Sequence, residues 1–359
     1  MDWFERITGF RELGYAQTRE GLQVDPNSLG PMIVSRADGS RRAAGRLEMP
    51  TLAELRRHVA LDPPAGRSTR VGCIAGDARA LHAFPEMRGA LVQVASQFNL
   101  LEMVAPHVTP EYGLRGYEGD HTQGPACAIA AGAATIWRNY LVPVGDGHGQ
   151  TADRQLDALA PLGAELSRRL ELPVGALWDM RNGYALCRRE GLAAIAALLR
   201  GIDRADREKL KGHLSIGLHV DVEVTDVDPP GTQRLSQALC SALPVRYSSI
   251  EAAAWEPFAR LVLEAAYEAT LLAACRLRGA GGSGVVLLTR LGGGAFGNHD
   301  DWIDDAIEFA LETVAGQGLD LRLVSRGAMH PSLLRIEQRW REKPVVHSRP
   351  WIRSAPPSP

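Results

Sequence analysis

Short apolar runs alternate with amphipathic stretches along most of the chain. The patterns "RVGCIAGD" (70–77), "GALVQVASQFN" (89–99), "HLSIGLHVDVEVTD" (213–226), "QRLSQALCSALPVRY" (233–247), "SGVVLLTRL" (283–291) and "LDLRLVSRG" (319–327) predict strands. Helices are predicted from Pro50 and Thr51 onward, over 122–141 and 151–210, over 255–277, and over "DDWIDDAIEFALETVAG". Strands that alternate with helices favour an α/β fold in which helices cover both faces of one sheet.

The same pattern divides the chain into one main domain with additions. Residues 1–66 are mixed and polar, and we expect an N-terminal extension packed on the main domain, 67–345. The segment 143–210 is predicted to be a helical insertion. The segment 346–359 is proline-rich and predicts a frayed tail.

Composition narrows the class of protein. The 359 residues are 45% hydrophobic and 23% charged, with 40 basic and 42 acidic side chains. This near-neutral balance predicts no nucleic-acid partner, and we find no apolar run long enough for a membrane span. The N-terminus "MDWFERITGF" lacks the apolar core of a signal peptide, so we expect a cytoplasmic protein. Five widely spaced cysteines without metal-like spacing predict buried, reduced thiols.

The stretch "TRLGGGAFGN" (289–298) is the most unusual segment. It follows a predicted strand and precedes a helix, the position at which open α/β sheets bind ligands. Backbone N–H groups there favour a bound diphosphate, whereas the alternative is a tight turn. A second junction, "YEGDHTQGPACAIA" (117–130), also places polar residues before a helix of small residues. The two loops are predicted to clamp one diphosphate, although two independently capped helices are the alternative.

Several phrases occur in the order found in macrodomains. They are Asp77 in "AGD", Asn99 in "ASQFNLLEM", the helix of "TQGPACAIAAGAATIWRNY", and then "CSALPV", "AAYEATLLAA" and "LGGGAFGN". Over roughly 67–330 the chain resembles the macrodomain superfamily and, within it, the arginine-specific ADP-ribosyl hydrolases, which include a bacterial effector. The resemblance implies a mixed sheet sandwiched between helices. The long segment after Asn99 departs from the usual glycine run, so catalytic residues do not transfer by position.

The resemblance also implies an ADP-ribose site. Asp77 is expected at the adenine, Asn99 and Phe296 at the distal ribose, and the two loops at the diphosphate. The full set of expected ligand contacts is Asp77, Gln97, Asn99, Thr122, Gln123, Gly124, Pro125, Ala126, Gly292, Gly293, Gly294, Ala295, Phe296, Gly297 and Asn298. No cofactor is expected, and ADP-ribose is the expected ligand or product.

Release of ADP-ribose from arginine breaks an N-glycosidic bond to a guanidinium. Carboxylates are needed to hold that cation and to activate water. The candidates are Asp120, Glu102, Asp300 and Asp301, in that order. Each candidate has a structural alternative. Asp120 could cap the next helix, Glu102 could pair with a nearby arginine such as Arg115, and Asp300 and Asp301 could stabilise the dipole of the helix that they begin. Asp77 has the alternative of an ordinary turn residue.

Three functions follow. The first is an ADP-ribosyl-arginine hydrolase acting on modified proteins. The second is a reader that binds ADP-ribose without turnover, and the third is a hydrolase of a related NAD-derived nucleotide. A metal site is not predicted, because Asp221 and Glu223 in "HVDVEVTD" lack a histidine partner and are expected on a solvent-facing side of their strand. Whether the protein is a housekeeping enzyme or a secreted effector, and its oligomeric state, are left open.

Overall fold

A computed structural model describes residues 1–27, 30–59 and 68–343, so the predicted tail lies outside the described residues. Its α-helices are α1 (Trp3–Thr8), α2 (Tyr15–Glu20), α3 (Leu52–His58), α4 (Ala78–His82), α5 (Gln123–Ala130), α6 (Gly132–Tyr140), α7 (Ala160–Leu170), α8 (Val174–Leu177), α9 (Arg189–Gly201), α10 (Arg204–Lys211), α11 (Ala252–Gly279), α12 (Asp300–Thr313) and α13 (Pro331–Glu342). Its strands are β1 (Leu22–Asp25), β2 (Met32–Ser35), β3 (Arg41–Ala43), β4 (Arg46–Glu48), β5 (Arg70–Ala75), β6 (Leu91–Ala95), β7 (Pro143–Val144), β8 (Gly147–His148), β9 (Trp178–Arg181), β10 (Tyr184–Cys187), β11 (Gly217–Glu223), β12 (Arg234–Cys240), β13 (Val285–Leu288) and β14 (Asp320–Ser325).

The central sheet is mixed. Its order, within the described residues, is β4-β11-β12-β6-β13-β14-β5. The strands from β12 to β5 run parallel, and β11 and β4 complete one edge in antiparallel fashion. The protein therefore has a mixed α/β fold. The parallel strands end together at one edge of the sheet, at Ala75, Ala95, Cys240, Leu288 and Ser325.

Helices cover both faces of this sheet, as the register of two glutamines shows. Gln93 of β6 pairs in register with Ala238, and Gln237 of β12 pairs with Val92. Successive side chains of a strand point to opposite faces. Gln93 donates to Thr270 of α11 (3.2 Å), whereas Gln237 donates to the carbonyl of Cys127 in α5 (2.9 Å). The helices α11 and α5 therefore lie on opposite faces.

The predicted helix over 122–141 is two helices. The chain leaves helical geometry at Ala131 (φ −114°, ψ 52°), between α5 and α6. The carbonyls of Ile129 and Ala130 there accept hydrogen bonds from the Thr225 side chain, at 2.6 and 3.1 Å. A partner distant in sequence thus satisfies groups that a continuous helix would bond internally. The small residues of α6 allow close packing, since a Cβ on Gly132 would lie 2.4 Å from Ile7 of α1.

The prediction that 151–210 is wholly helical is also wrong. Strands β9 and β10 form an antiparallel hairpin, with Trp178 opposite Cys187 and Arg181 opposite Tyr184. The turn residues Asn182 and Gly183 have φ values of 46° and 81°. An Asn-Gly pair with positive φ is the preferred two-residue hairpin turn, because its twist matches that of the strands. The predicted strand over 233–247 is shorter than expected and ends at Cys240.

The first 59 residues contribute to two sheets. The strands β1, β2 and β3 form a small antiparallel sheet, and β4 joins the edge of the central sheet beside β11. The helix α3 begins at a capping box, in which the Thr51 hydroxyl accepts from the N–H of Glu54 and the Glu54 carboxylate accepts from that of Thr51. The division into extension, main domain and insertion stays a prediction.

Candidate active site

A cleft of about 190 Å³ opens where the parallel strands β5, β13 and β14 end. Six of its lining residues carry polar side chains and were not predicted: His121, Thr289, Arg290, Ser325, Arg326 and His330. Of the predicted residues, Asp77, Thr122, Gln123 and Ala126 line it. Arg326 directly follows β14 and Arg290 is the second residue after β13, so the rule that open α/β sheets bind ligands at strand ends could have found both.

Asp77 begins α4 at the mouth of the cleft. Its Oδ1 accepts from the N–H groups of Arg79 (2.9 Å) and Ala80 (3.3 Å). Its Oδ2 lies 4.0 Å from Nε of Arg326. Asp77 is thus the N-cap of α4 and not an ordinary turn residue, and it also lines the cleft. Its contact with adenine stays a prediction.

The first predicted loop forms the start of α5. The Asp120 carboxylate accepts from the N–H of Thr122 (2.8 Å), and the Gln123 side chain bonds the backbone of β6 at Ala95 and Gln93. Gly124 and Pro125 are buried in the first turn of α5, and a Cβ on Gly124 would lie 2.3 Å from Oε2 of Glu102. The glycine therefore gives the Glu102 carboxyl the space to lie against this turn.

Glu102 is the most unusual carboxyl of the site. It is 5% exposed, and its buried Oε1 has no hydrogen-bond partner among the described residues. Burial raises its pKa well above the usual value; the positive charge of Arg138 opposes this effect, and the negative charge of Asp120 adds to it. The predicted alternative of a pair with Arg115 is wrong, because the Arg115 guanidinium lies over the ring of Tyr112 and donates to its carbonyl. A buried orphan acid of this kind is a candidate for proton transfer.

Gln97 and Asn99 lie beneath the loop that carries Glu102. The Gln97 amide bonds both backbone groups of Met103, and the Asn99 amide accepts from the N–H of Leu101 and donates to Gln155. Both side chains are buried. The structure thus gives their amides protein partners, whereas their contact with a ligand stays a prediction.

The second loop is closed by an asparagine. Asn298 is buried, and its Nδ2 donates to the carbonyls of Leu243 (2.9 Å) and Gly292 (3.3 Å). Gly292 (φ 75°) and Gly297 (φ 72°) adopt the left-handed conformation that favours glycine. A Cβ on Gly292 would lie 2.5 Å from Ala242. Gly293 and Gly294 have no such φ, and Gly294 and Ala295 are exposed.

Phe296 joins this loop to the loop of Glu102. Its ring lies 5.4 Å from that of Tyr184 and 5.6 Å from that of Tyr247. The Tyr184 hydroxyl donates to the carbonyl of Met103 (2.5 Å), the residue after Glu102. The hairpin that the sequence patterns missed thereby brings the aromatic cluster beside the acid.

The acidic start of α12 is engaged with Arg290. Asp300 accepts from this guanidinium at 2.6 Å, and Asp304 bonds it too. Ser332 accepts from Arg290 (2.7 Å). Asp304, four residues further along α12, is buried. Asp301 is exposed.

The acidic strand β11 is also explained by protein contacts. A bulge between His219 and Val222 breaks the alternation, and Asp221 has a φ of 58°. Glu223 is buried and accepts from the N–H of Ala43 (2.9 Å), so the predicted solvent-facing placement is wrong for it. Within residues 1–27, 30–59 and 68–343, we find no group of three potential metal ligands. No helix in those ranges is long and apolar enough to cross a membrane.

Comparisons with known proteins give matches only at the level of structure. No protein-family model matches the chain, and no curated protein matches it. A poly(ADP-ribose) glycohydrolase from Deinococcus radiodurans, solved with ADP-ribose, matches at 12% identity and a TM-score of 0.44, over 93% of this chain and 99% of that one. The glycohydrolase from Thermomonospora curvata matches at 13% identity and a TM-score of 0.42, over 89% and 94%.

These matches correct the resemblance drawn from the sequence. The structures found are poly(ADP-ribose) glycohydrolases and not arginine-specific macrodomain hydrolases. The placement of the chain in the arginine-specific branch is therefore wrong. At this identity and TM-score the similarity carries no information about activity, and the function below rests on the site itself.

Proposed function

We propose that this protein is a hydrolase that releases ADP-ribose by cleaving the glycosidic bond of its distal ribose. The observation that carries the proposal is Glu102, a buried carboxyl with an unpartnered oxygen that lies against Gly124 in the first turn of α5. The adjoining residues Thr122 and Gln123 line the cleft at the ends of the parallel strands. An acid with a raised pKa keeps its proton to higher pH than an ordinary carboxyl does and can give that proton to a leaving group.

The cleft supports a nucleotide ligand. Arg290 and Arg326 add positive charge to the lining of the cleft. The helix α5 begins at Gln123, beside the cleft, and the free backbone N–H groups of a first helical turn favour an anion. We place the adenosine at Asp77 and the diphosphate between this turn and the glycine loop. The distal ribose then lies toward Phe296 and Glu102. We further propose that the mixed sheet is of the macrodomain type.

The reaction balances with the residues present. Glu102 donates its proton to the leaving atom as the bond from that atom to C1″ of the ribose breaks. Water adds to C1″, and its proton returns to the Glu102 carboxylate, so ADP-ribose and the free acceptor are released. Asp120 lies close enough to influence the pKa of Glu102, and we assign it the role of orienting that water.

The chemical class of the leaving group is the finer question. The expectation of an arginine guanidinium came from the resemblance to arginine-specific hydrolases and was supported by the carboxylates near the two loops. The bond of Asp300 to Arg290 removes one of the four candidate carboxylates from that role. We therefore do not propose arginine-linked ADP-ribose as the substrate, and we include it only as one of several substrates to be tested.

The first prediction concerns ADP-ribose release by the wild type, Glu102→Gln and Asp120→Asn. Substrates are poly(ADP-ribose) and proteins modified on arginine, glutamate or serine. We expect the wild type to release ADP-ribose from at least one substrate. Because the amide cannot donate an acidic proton, Glu102→Gln should lower kcat by about 100-fold or more, with the Kd for ADP-ribose little changed.

The controls separate an enzyme from a binding protein. Calorimetry with ADP-ribose shows whether each variant retains the site. Binding without release from any substrate would reject the hydrolase and support a reader. Release by Glu102→Gln at the wild-type rate would reject the role of Glu102 and transfer the acid to Asp120.

A further inference from the structure

The loop that carries Glu102 has an uncommon backbone. Leu100 is buried and has a φ of 64°, a conformation that a bulky residue rarely adopts. Its neighbours are held by buried side chains: Gln150 donates to the carbonyl of Asn99 (3.0 Å), and the N–H of Glu102 donates to the hydroxyl of Tyr117 (2.7 Å). Such a conformation persists only where the surroundings fix it.

The carbonyl of Leu100 is bound by a buried arginine. Arg138 of α6 is 0% exposed, and its Nε donates to this carbonyl at 3.0 Å. Its Nη2 donates to Thr135 (3.1 Å), and its Nη1 lies 3.0 Å from Nδ1 of His219. These acceptors are neutral, since burial, reinforced by the charge of Arg138, depresses the pKa of His219 well below its usual value. The guanidinium thus has no hydrogen-bonded carboxylate partner among the described residues.

Glu102 is the carboxyl that this cation influences. The groups that titrate around Glu102 are Asp120 and Tyr117 of its own loop, Cys127 of α5, Tyr184 of β10 and Arg138 of α6. Arg138 is the cation of this set and favours the ionised carboxylate, whereas Asp120 opposes it. A buried cation lowers the pKa of a neighbouring carboxyl and so weakens its hold on the proton. This suits an acid catalyst, which must give its proton in each cycle and regain it.

We propose that Arg138 is a positioning residue for Glu102, which fixes the Leu100 carbonyl and keeps a buried positive charge close to the loop that carries the carboxyl. The expected effect of Arg138 on kcat rests on the proposed function, whereas its expected effect on the titration of Glu102 does not. It assigns α6, which does not line the cleft, a role in the acid–base chemistry.

The second prediction uses the carboxyl carbon of Glu102 as a direct probe. Protein labelled with 13C at the glutamate side-chain carboxyl is titrated by NMR, and the Glu102 signal is the one absent from Glu102→Gln. The variants are Arg138→Gln, which removes the charge, and Arg138→Lys, which keeps the charge but lacks the planar fork. The matched control is Thr135→Val, which removes one acceptor of the same guanidinium and leaves its charge and its bond to Leu100.

In Arg138→Gln we expect the midpoint of the Glu102 titration to rise by about one pH unit or more. Because activity requires the protonated acid, the alkaline limb of kcat should move to higher pH in parallel. Arg138→Lys should titrate as the wild type does, while kcat falls about tenfold through misplacement of the loop. Thr135→Val should change neither quantity.

A folded Arg138→Gln that titrates at the wild-type midpoint would overturn the inference. If that variant does not fold, Arg138→Lys decides: a lowered kcat with an unchanged ADP-ribose Kd supports the inference, and a wild-type kcat overturns it. If the wild type hydrolyses nothing but the midpoint still rises in Arg138→Gln, the proposed function fails and the electrostatic coupling stands.

Discussion

At the scale of residues, the buried position of Glu102 destabilises the folded protein at a pH where a free carboxyl would ionise. A carboxyl whose pKa is raised by burial favours the folded state only while it is protonated. As pH rises from the unfolded pKa towards the folded one, the unfolded state loses its proton first and the fold loses stability. Each pH unit between the two values is worth about 1.4 kcal/mol. Functional groups commonly carry such a cost.

The third prediction follows from this sign. Glu102→Gln should raise the melting temperature at pH 8, because the amide does not ionise and so removes the advantage that the ionised carboxyl gives the unfolded state. The gain should shrink as the pH falls below about 4, the ordinary range of a glutamate pKa, where the wild-type carboxyl becomes protonated in both states. Thermal melts of both proteins across this range measure it. A gain that is independent of pH would show that Glu102 is not the buried acid described here.

At the scale of elements, the glycine loop separates two uses of glycine. Gly292 is needed by the fold, since its φ is 75° and a Cβ there would meet Ala242. Gly294 is different, because a Cβ there would meet nothing within 4 Å. The ligand-free protein therefore has room for a side chain at position 294. Only a ligand that lies close to this backbone would clash with such a side chain.

The fourth prediction compares these two glycines. Gly292→Ala should lower the free energy of unfolding by about 1–3 kcal/mol, because alanine strains that backbone. Gly294→Ala should leave stability unchanged and weaken ADP-ribose binding by about tenfold, through a steric clash with the diphosphate. Urea unfolding and calorimetry give the two quantities. Unchanged binding by Gly294→Ala would show that the ligand does not approach this backbone.

At the scale of the whole molecule, segments outside the central sheet support the loop of Glu102. The hairpin β9–β10 contributes Tyr184, which bonds Met103, and Gly183, whose carbonyl accepts from the N–H of Phe98. From the N-terminal segment, Glu12 accepts from the N–H of Leu114 (2.7 Å) and the hydroxyl of Tyr140. Glu12 thus fixes the chain just before Tyr117, whose hydroxyl accepts from the N–H of Glu102.

The fifth prediction tests this long connection. Glu12→Ala should lower kcat by about tenfold, since it frees the segment that holds Tyr117, and should increase hydrogen exchange over 110–119. Glu20→Ala removes the same charge from an exposed position of the same N-terminal segment and should change neither. Wild-type exchange and kcat in Glu12→Ala would show that the N-terminal segment does not support the site.

The sequence by itself determined the strands β5, β6, β11, β13 and β14 and the loops that follow the parallel ones, because burial and strand-end chemistry are local patterns. Among the ligand contacts that the resemblance implied, Asp77, Thr122, Gln123 and Ala126 line the cleft. The hairpin turn at Asn182 and Gly183 was present as a local signal, but the surrounding amphipathic pattern favoured a helix.

Tertiary structure decided what the individual carboxyls do. Glu102, Asp300 and Asp304 are similar in sequence, as acids close to strand or helix ends. Only the fold makes Asp300 and Asp304 partners of Arg290 and leaves Glu102 buried, with an unbonded oxygen and within reach of the charge of Arg138. Burial and charge pairing depend on residues distant along the chain, so no local pattern could distinguish these acids.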